Sequence, residues 1–524
     1  MSFFIRINIF LLLNASLYSQ TPSPKQINKQ LKDAAFYFDG EDYMNALTEY
    51  KKVLIMDKKN ETANLNALIC RLKINQPVDS VLDHIDKIQN SKLPEAMYYL
   101  GIVNHQLKNF DVAIDYLNKY NAIDPKKRAI NTDETNHMIE ICNNAKKEIS
   151  HPHRSIIKNM GDEINSPYPD YVPVITSDES VMYFTSRREG SSHNIKDAYG
   201  NYYEDVYISY NTYGKWSKAV NIGPPINSDT HDACVALSPD GQRMIVYRTA
   251  PDLVTGDLYV TKATQGFSGM QWGPLQKYGN EINSQFIETS ACFSSDTSEI
   301  YFSSNRPGGY GGKDLYRIKK LPNGRWAMPF NLGKEINTPY DDDDPYLHPD
   351  GVTLFFSSKG HNTIGEYDIF KSVLDPETNT FSKAENLGYP INSVNNDRFF
   401  VLSGDGKHGY YSSVKEDSKG SSDIYIIDTR FGDNDLIVKS AFVYRDGIPG
   451  RAKITLLDTE TKQIAGIFSS SSKTGKFVLA LNPLKYYKVI IEEDGFNTIA
   501  MDIDPVAFEK QESDLIIKMS KKIN

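Results

Sequence analysis

The sequence predicts a multidomain α plus β chain: an N-terminal α-helical repeat solenoid, a five-bladed β-propeller and a C-terminal β-sandwich. Three observations predict it. Residues 25–148 lack turn clusters and carry helical periodicity. Residues 155–430 repeat one set of short phrases five times. Residues 433–520 alternate apolar and polar positions between turns. The length of 524 residues agrees, at roughly 100–200 residues per domain. With 58 basic and 67 acidic residues the net charge is -9, so no chain-wide basic footprint for nucleic acid exists. The aromatic count is high, with 33 Tyr and 24 Phe, residue types that favour strands. Four scattered cysteines form no CxxC pair and read as small buried hydrophobes.

Residues 1–19 read as a signal peptide: Arg6, then a mostly apolar run from Ile7 to Leu13, then small residues up to Ser19. The run is shorter than the ~20 residues needed to span a bilayer. No later segment is apolar enough to span, so the mature chain is expected to be exported, periplasmic and peripheral to the outer membrane.

In the helical region, Leu100, Gly101, Asn104, Ala113, Leu117, Tyr120 and Pro125 match the 34-residue tetratricopeptide pattern. A second window has Ala34, Tyr37, Ala46, Tyr50 and Val53 at the same offsets, with Lys58 in place of the proline. Stacked helix pairs of this kind usually bind peptides or proteins. The alternative is a helical cap without a ligand.

The propeller repeats carry an Asn-x-Gly phrase that ends in Asn165, Asn227, Asn283, Asn337 and Asn392. A turn follows, such as Pro239-Asp240-Gly241 or Pro349-Asp350-Gly351, then an aromatic strand such as Tyr183-Phe184 or Phe355-Phe356. An Asp-x-Tyr/Phe phrase closes each unit at Asp205, Asp257, Asp314, Asp368 and Asp423. Trp216, Trp272, Trp326 and Phe381 share one repeat position. About four strands per unit and a period near 50 define a propeller. The first Asn-x-Gly phrase precedes the first turn and the last unit lacks one. Segment 155–166 is therefore expected to pair with the last blade and close the ring. The Ser-Pro-Asp-Gly, Phe-Ser-Ser-Asn-Arg and Asp-Leu-Tyr phrases resemble TolB-type, WD40-like propeller repeats of exported bacterial proteins.

Five positions after each repeated Asn stands an acid: Asp170, Asp232, Glu288, Asp342 and Asp397. Such carboxylates could form a ring that binds a cation or a basic partner. The alternative is that each bonds neighbouring backbone or a basic residue such as Arg188, Arg306 or Lys415. Asp341, Asp342, Asp343 and Asp344 form a candidate Ca²⁺ site, because Ca²⁺ takes several carboxylates; the alternative is a solvated loop. No other cofactor is implied. Gly308–Asp314 departs from a phosphate loop at Pro307 and Asp314. No GxSxG elbow or HExxH helix is present. No enzymatic activity is expected from these motifs.

In the last region, Gly447-Ile-Pro-Gly-Arg-Ala452, Gly475-x-Phe477, Tyr487 and Gly495-Phe496 resemble the carboxypeptidase-regulatory-like, transthyretin-like sandwich. The whole order resembles the PorE-like periplasmic family of Bacteroidota. That resemblance implies an outer-membrane-associated component of type IX secretion, with envelope or secretion-system proteins as partners. The family usually adds an OmpA-like C-terminal domain that grips peptidoglycan. The chain ends at Asn524, soon after the sandwich. That domain, and direct peptidoglycan binding, are therefore not expected. The function expected first is a non-enzymatic, protein-binding envelope scaffold. The second is a ligand- or glycan-binding, carbohydrate-processing propeller, favoured by the acids and the aromatic richness.

Overall fold

Seven α-helices open the chain in a computed structural model that describes residues 22–522, apart from 154, 198, 267–268, 405, 430–436, 482–484 and 512–513. The expected signal peptide, residues 1–19, lies outside the described residues. The helices are α1 (Pro24–Asp39), α2 (Tyr43–Met56), α3 (Glu61–Lys73), α4 (Leu82–Ile88), α5 (Pro94–Gln106), α6 (Phe110–Asn121) and α7 (Thr132–Ser150). Their starts are written in the sequence. Ser23 and Gln26 form a reciprocal cap before α1, with Pro24 at the first position, and Asp42, Asn60 and Asn131 cap α2, α3 and α7. Gly101 lets α5 cross α6 closely: a Cβ there would lie 2.7 Å from Leu117 Cγ. Among the described residues no helix is long and apolar enough to cross a membrane.

Five antiparallel sheets follow. Their first strands begin at or just after the repeated acids: Asp170–Ile175, Asp232–Leu237, Ala291–Phe293, Asp342–Leu347 and Asp397–Leu402. In each sheet the second and third strands follow in chain order, so every sheet is a meander. The first strands contact one another in cyclic order, and the first also contacts the fifth. Backbone bonds repeat the pattern. Asp232, Asp342 and Asp397 donate N–H to Glu204, Lys313 and Tyr367 of the preceding sheet, each at 2.8 Å, and Asp170 donates to Ser422 of the fifth sheet at 2.9 Å. The strand Ile156–Asn159 pairs antiparallel with Asp423–Asp428 of the fifth sheet. Across that seam, Asn165 accepts from the Ile424 N–H and donates to the Ile424 carbonyl, and both bonds are 2.9 Å long. The first and last sheets are thereby tied, leaving no free edge there.

Trp216, Trp272, Trp326 and Phe381 meet Tyr410, Tyr183, Tyr278 and Tyr301 edge-to-face, at centroid distances of 5.8 to 6.5 Å. Each ring seals its own outer hairpin against a neighbouring sheet, which is why one large aromatic recurs at this repeat position.

The helical region sits on the loop 359–364 of the fourth sheet and on the segment 389–394 that leads to the fifth, and α2 also meets the first sheet's loop, where Tyr43 lies 6.2 Å from Tyr199. His105 Nε2 donates to the Ile364 carbonyl at 2.9 Å and His137 Nε2 to that of Lys359 at 2.9 Å, while the His137 ring stacks on Tyr340 at 3.7 Å. Phe110 and Ala145 pack with Ile364 and Val394. Burial lowers the His105 pKa to about 4, so the ring is a neutral donor at pH 7. The C-terminal region holds two four-stranded sheets that bury one core, with Val443, Leu479 and Leu481 from one and Ile454, Val489 and Ile491 from the other.

Candidate functional site: an inter-sheet cavity

The repeated acids do not present a partner-binding ring. All five are buried. Asp170 accepts from Ser166 N at 2.6 Å and from Arg188 at 2.5 Å. Asp232 accepts from Ser228 N at 2.6 Å and from Arg248 Nε at 2.5 Å. Glu288 accepts from Ser284 N at 2.9 Å, Ser304 Oγ at 2.5 Å and Arg306 at 3.2 Å. Asp397 accepts from Ser393 N at 2.6 Å and Ser413 Oγ at 2.5 Å, with Lys415 Nζ at 3.9 Å. Each carboxylate thus fastens the Asn-Ser/Thr turn of its own unit to the start of the inner hairpin.

Asp342 is the exception in its partners, since among the described residues no cation pairs with it. It accepts from Thr338 N and Ser358 Oγ, both at 2.5 Å, but Gly360 stands where three of the other units place Arg188, Arg306 and Lys415. The ring of His361 takes over the carbonyl of Ile336, at 2.9 Å. Burial therefore pushes Asp342 up to about 7. A raised folded-state pKa means that the stability contribution is complete below pH 4 and declines as pH rises towards 7. Asp342→Asn should remove this dependence. In urea titrations the variant should gain on the parent between pH 4 and pH 7, by up to about 4 kcal/mol. A constant difference across that range would refute the assignment.

The four aspartates at 341–344 do not converge on a Ca²⁺ site. Asp341 pairs with Lys359 at 3.3 Å, Asp342 with its own turn, Asp343 with Lys313 at 2.9 Å and Arg398 at 3.0 Å, and Asp344 with Arg398 at 2.7 Å. Among the described residues no three His, Cys, Asp or Glu side chains are grouped to hold a metal. The glycine run before Asp314 wraps its own carboxylate, since Tyr310 and Gly311 donate N–H to Asp314 at 2.7 and 3.0 Å.

What the five sheets do enclose is a cavity of about 300 Å³, bounded by all five first strands. Its polar end is built from positions that do not repeat. The residues directly after the acids are Tyr171, Ala233, Thr289, Asp343 and Arg398, and the next are Val172, Cys234, Ser290, Asp344 and Phe399. The residues before the Asp-x-Tyr phrases are Glu204, Gly256, Lys313, Tyr367 and Ser422. Glu204 and Lys313 line the cavity. The strands bulge here: register slips after Tyr171, Asp343 and Arg398, and Val172, Asp344 and Phe399 adopt φ of 51, 52 and 60°. A left-handed residue other than glycine costs about 1–3 kcal/mol, and bulges re-aim side chains beside functional sites.

On one side, Lys313 Nζ donates to Thr289 Oγ1 at 2.8 Å as well as to Asp343. Arg398 lies 4.1 Å from the Tyr367 ring and 4.6 Å from that of Phe399. Burial opposes ionisation of Asp343, but Lys313 and Arg398 override it and hold the carboxyl well below the usual range. Burial, opposed by Arg398 and reinforced by Asp343, pushes Asp344 up to about 6. On the side of the first sheet, Tyr171 O–H donates to Glu204, whose other oxygen meets His231 Nδ1 at 3.3 Å. Burial works against Glu204 too, yet the His231 bond and the Arg187 charge hold it at about 2. The cavity therefore offers ammonium, guanidinium, carboxylate and hydroxyl groups around aromatic faces. Below them lies an apolar wall that includes Val174, Phe293, Leu347 and Val401. Tyr171, Glu204 and Arg398 were not singled out from the sequence, and Lys313 was met there only within the rejected phosphate-loop match. The signal for them is negative: they occupy positions where five aligned units disagree.

No family model matches the chain, and no curated protein matches it. Similar solved structures include a levansucrase variant from B. megaterium, 10% identical, covering 55% of this chain and 94% of that one with a TM-score of 0.35. An α-L-arabinofuranosidase from Lactobacillus brevis is 13% identical, covering 52% and 94%, TM-score 0.32. An α-L-arabinanase from Penicillium chrysogenum, complexed with arabinobiose, is 11% identical, covering 52% and 98%, TM-score 0.31. All three are enzymes, whereas no enzymatic activity was expected from the sequence motifs. The lack of GxSxG and HExxH motifs excludes two chemistries and leaves others open, since a pair of carboxylates needs no linear motif.

Proposed function

We propose that the five sheets are the blades of a closed propeller whose axial cavity binds a glycan and supports its processing. The observation that carries this reading is the cavity itself: every blade contributes to it, and its polar end consists of non-repeated hydrogen-bonding and aromatic residues. Lys313, Arg398, Glu204 and Thr289 suit the hydroxyl groups of a sugar. Tyr171 and Phe399 suit its apolar ring face. Processing requires one ionised and one protonatable carboxyl. Among the carboxyls on the cavity lining, Glu204 is the first, and Asp344, at about 6, is the second. The helical repeats and the C-terminal sandwich, read as transthyretin-like, then act as adaptors. We place the protein in the envelope as an exported, PorE-like component whose helical repeats hold an envelope or secretion-system protein.

The test is calorimetric titration of the folded chain with a panel of neutral oligosaccharides, with reducing-end release measured alongside. At least one glycan should bind, and Phe399→Ala and Lys313→Gln should each weaken it about tenfold or more. A folded chain that binds no member of the panel, or binding indifferent to both substitutions, would overturn the reading.

A further inference from the structure

A second groove, of about 580 Å³, lies between the second and third sheets, away from the first-strand ends that build the polar end of the axial cavity. It is lined by Arg243, Lys262, Lys277 and Lys320 together with the rings of Tyr278 and Trp326. Four cations in one groove are conspicuous in a chain of net charge -9. Lys277 occupies the position where the other units place Asn159, Asn221, Asn331 and Asn386, and it pairs with Asp257 at 2.6 Å. Arg243 donates to Thr297 Oγ1 at 2.8 Å, with Asp240 close enough to feel its charge. Among the described residues, no carboxylate lies within ion-pair distance of Lys262 or Lys320. Lys320 Nζ lies 5.9 Å from the Trp326 ring. Blade construction accounts for Trp326, whose equivalents recur, but not for the cations: the positions of Lys262 in the other units hold Tyr210, Lys319, Val373 and Asp428.

We infer that this groove is a binding site for an acidic glycan, one whose sugars bear carboxylates. The cations would meet the carboxylates, and the half-buried Trp326 offers a ring beside them for the C–H face of a sugar. The inference goes beyond the axial cavity and holds whatever that cavity takes.

The experiment titrates the full chain with oligogalacturonate, with a neutral arabino-oligosaccharide and with inorganic phosphate, at about 50 and 200 mM salt. Oligogalacturonate should bind, and should bind more weakly at the higher salt as screening grows. A Lys262→Gln/Lys320→Gln double variant should lose at least tenfold in affinity for it. Phe399→Ala, in the axial cavity, should leave that affinity unchanged, which separates a failure of this site from a failure of the axial one. Absence of oligogalacturonate binding, equal binding by the double variant, or equally tight binding of phosphate alone would overturn the inference.

Discussion

Replacing Arg398 by methionine should lower the stability of the chain by about 3–5 kcal/mol, the effect of leaving buried charge without its partner. Arg398 bridges Asp343 and Asp344, whose side chains are 1% and 2% exposed. Without it Asp343 keeps Lys313, and Asp344 keeps no cation within ion-pair distance among the described residues. Burial and the Asp343 charge would then raise Asp344 further. Protonation relieves the strain, so the loss should be larger at pH 8 than at pH 5. The double variant Arg398→Met/Asp344→Asn should recover much of the loss, because removing both charges avoids the unpaired one. Urea unfolding of the two variants at both pH values checks this. An Arg398→Met midpoint equal to that of the parent would show that the network does not hold the cavity wall.

Asn337→Ala should cost about 3 kcal/mol, from three hydrogen bonds worth roughly 1 kcal/mol each. The Asn337 side chain accepts from Leu315 N at 2.7 Å and donates to the Leu315 carbonyl at 3.0 Å and to Asn331 Oδ1 at 2.8 Å. The Leu315 groups are buried, so their loss is not made good by water. Asn337→Asp should be no milder: its carboxylate keeps the Leu315 N–H but turns two donor contacts into repulsions. The same substitution at Asn165 acts on the seam between the first and last sheets, where it bonds Ile424. There it should also speed proteolysis of the strand Ile156–Asn159. Urea midpoints and timed proteolysis measure both effects.

The helical region and the many-stranded sheets were legible in the sequence because both rest on local rules. Ser23, Asp42, Asn60 and Asn131 announce helix starts through their own side chains, and Gly101 marks a close crossing. The repeat phrases announce strands because each repeated residue serves its own unit: Asn337 bonds across to Leu315, and Trp272 packs on Tyr183. Repetition, however, signals construction and not function. Asp170, Asp232, Glu288, Asp342 and Asp397 stood out by recurring, and they recur because every unit needs the same turn fastened. Lys313 and Arg398 come together from positions 85 residues apart, and nothing local links them. Only closure of the five sheets places them on one cavity wall. The bulges at Val172, Asp344 and Phe399 were likewise hidden, since Val and Phe disfavour a left-handed backbone and Asp344, whose type tolerates it, is one of four consecutive aspartates. The run of four aspartates looked like one site and proved to be three, with Asp341 on Lys359, Asp342 on its own turn, and Asp343 and Asp344 sharing Arg398, because alternate strand positions face opposite ways and the bulge turns the last of them towards Arg398.

The central claim is that the non-repeated residues around the axis hold the ligand. A crystal structure of the chain with the tightest-binding oligosaccharide of the panel tests it most directly. The account predicts the sugar in the axial cavity, within hydrogen-bond distance of Lys313 and Arg398 and with a ring face against Phe399 or Tyr171. A sugar bound only elsewhere, with those four side chains untouched, would contradict it.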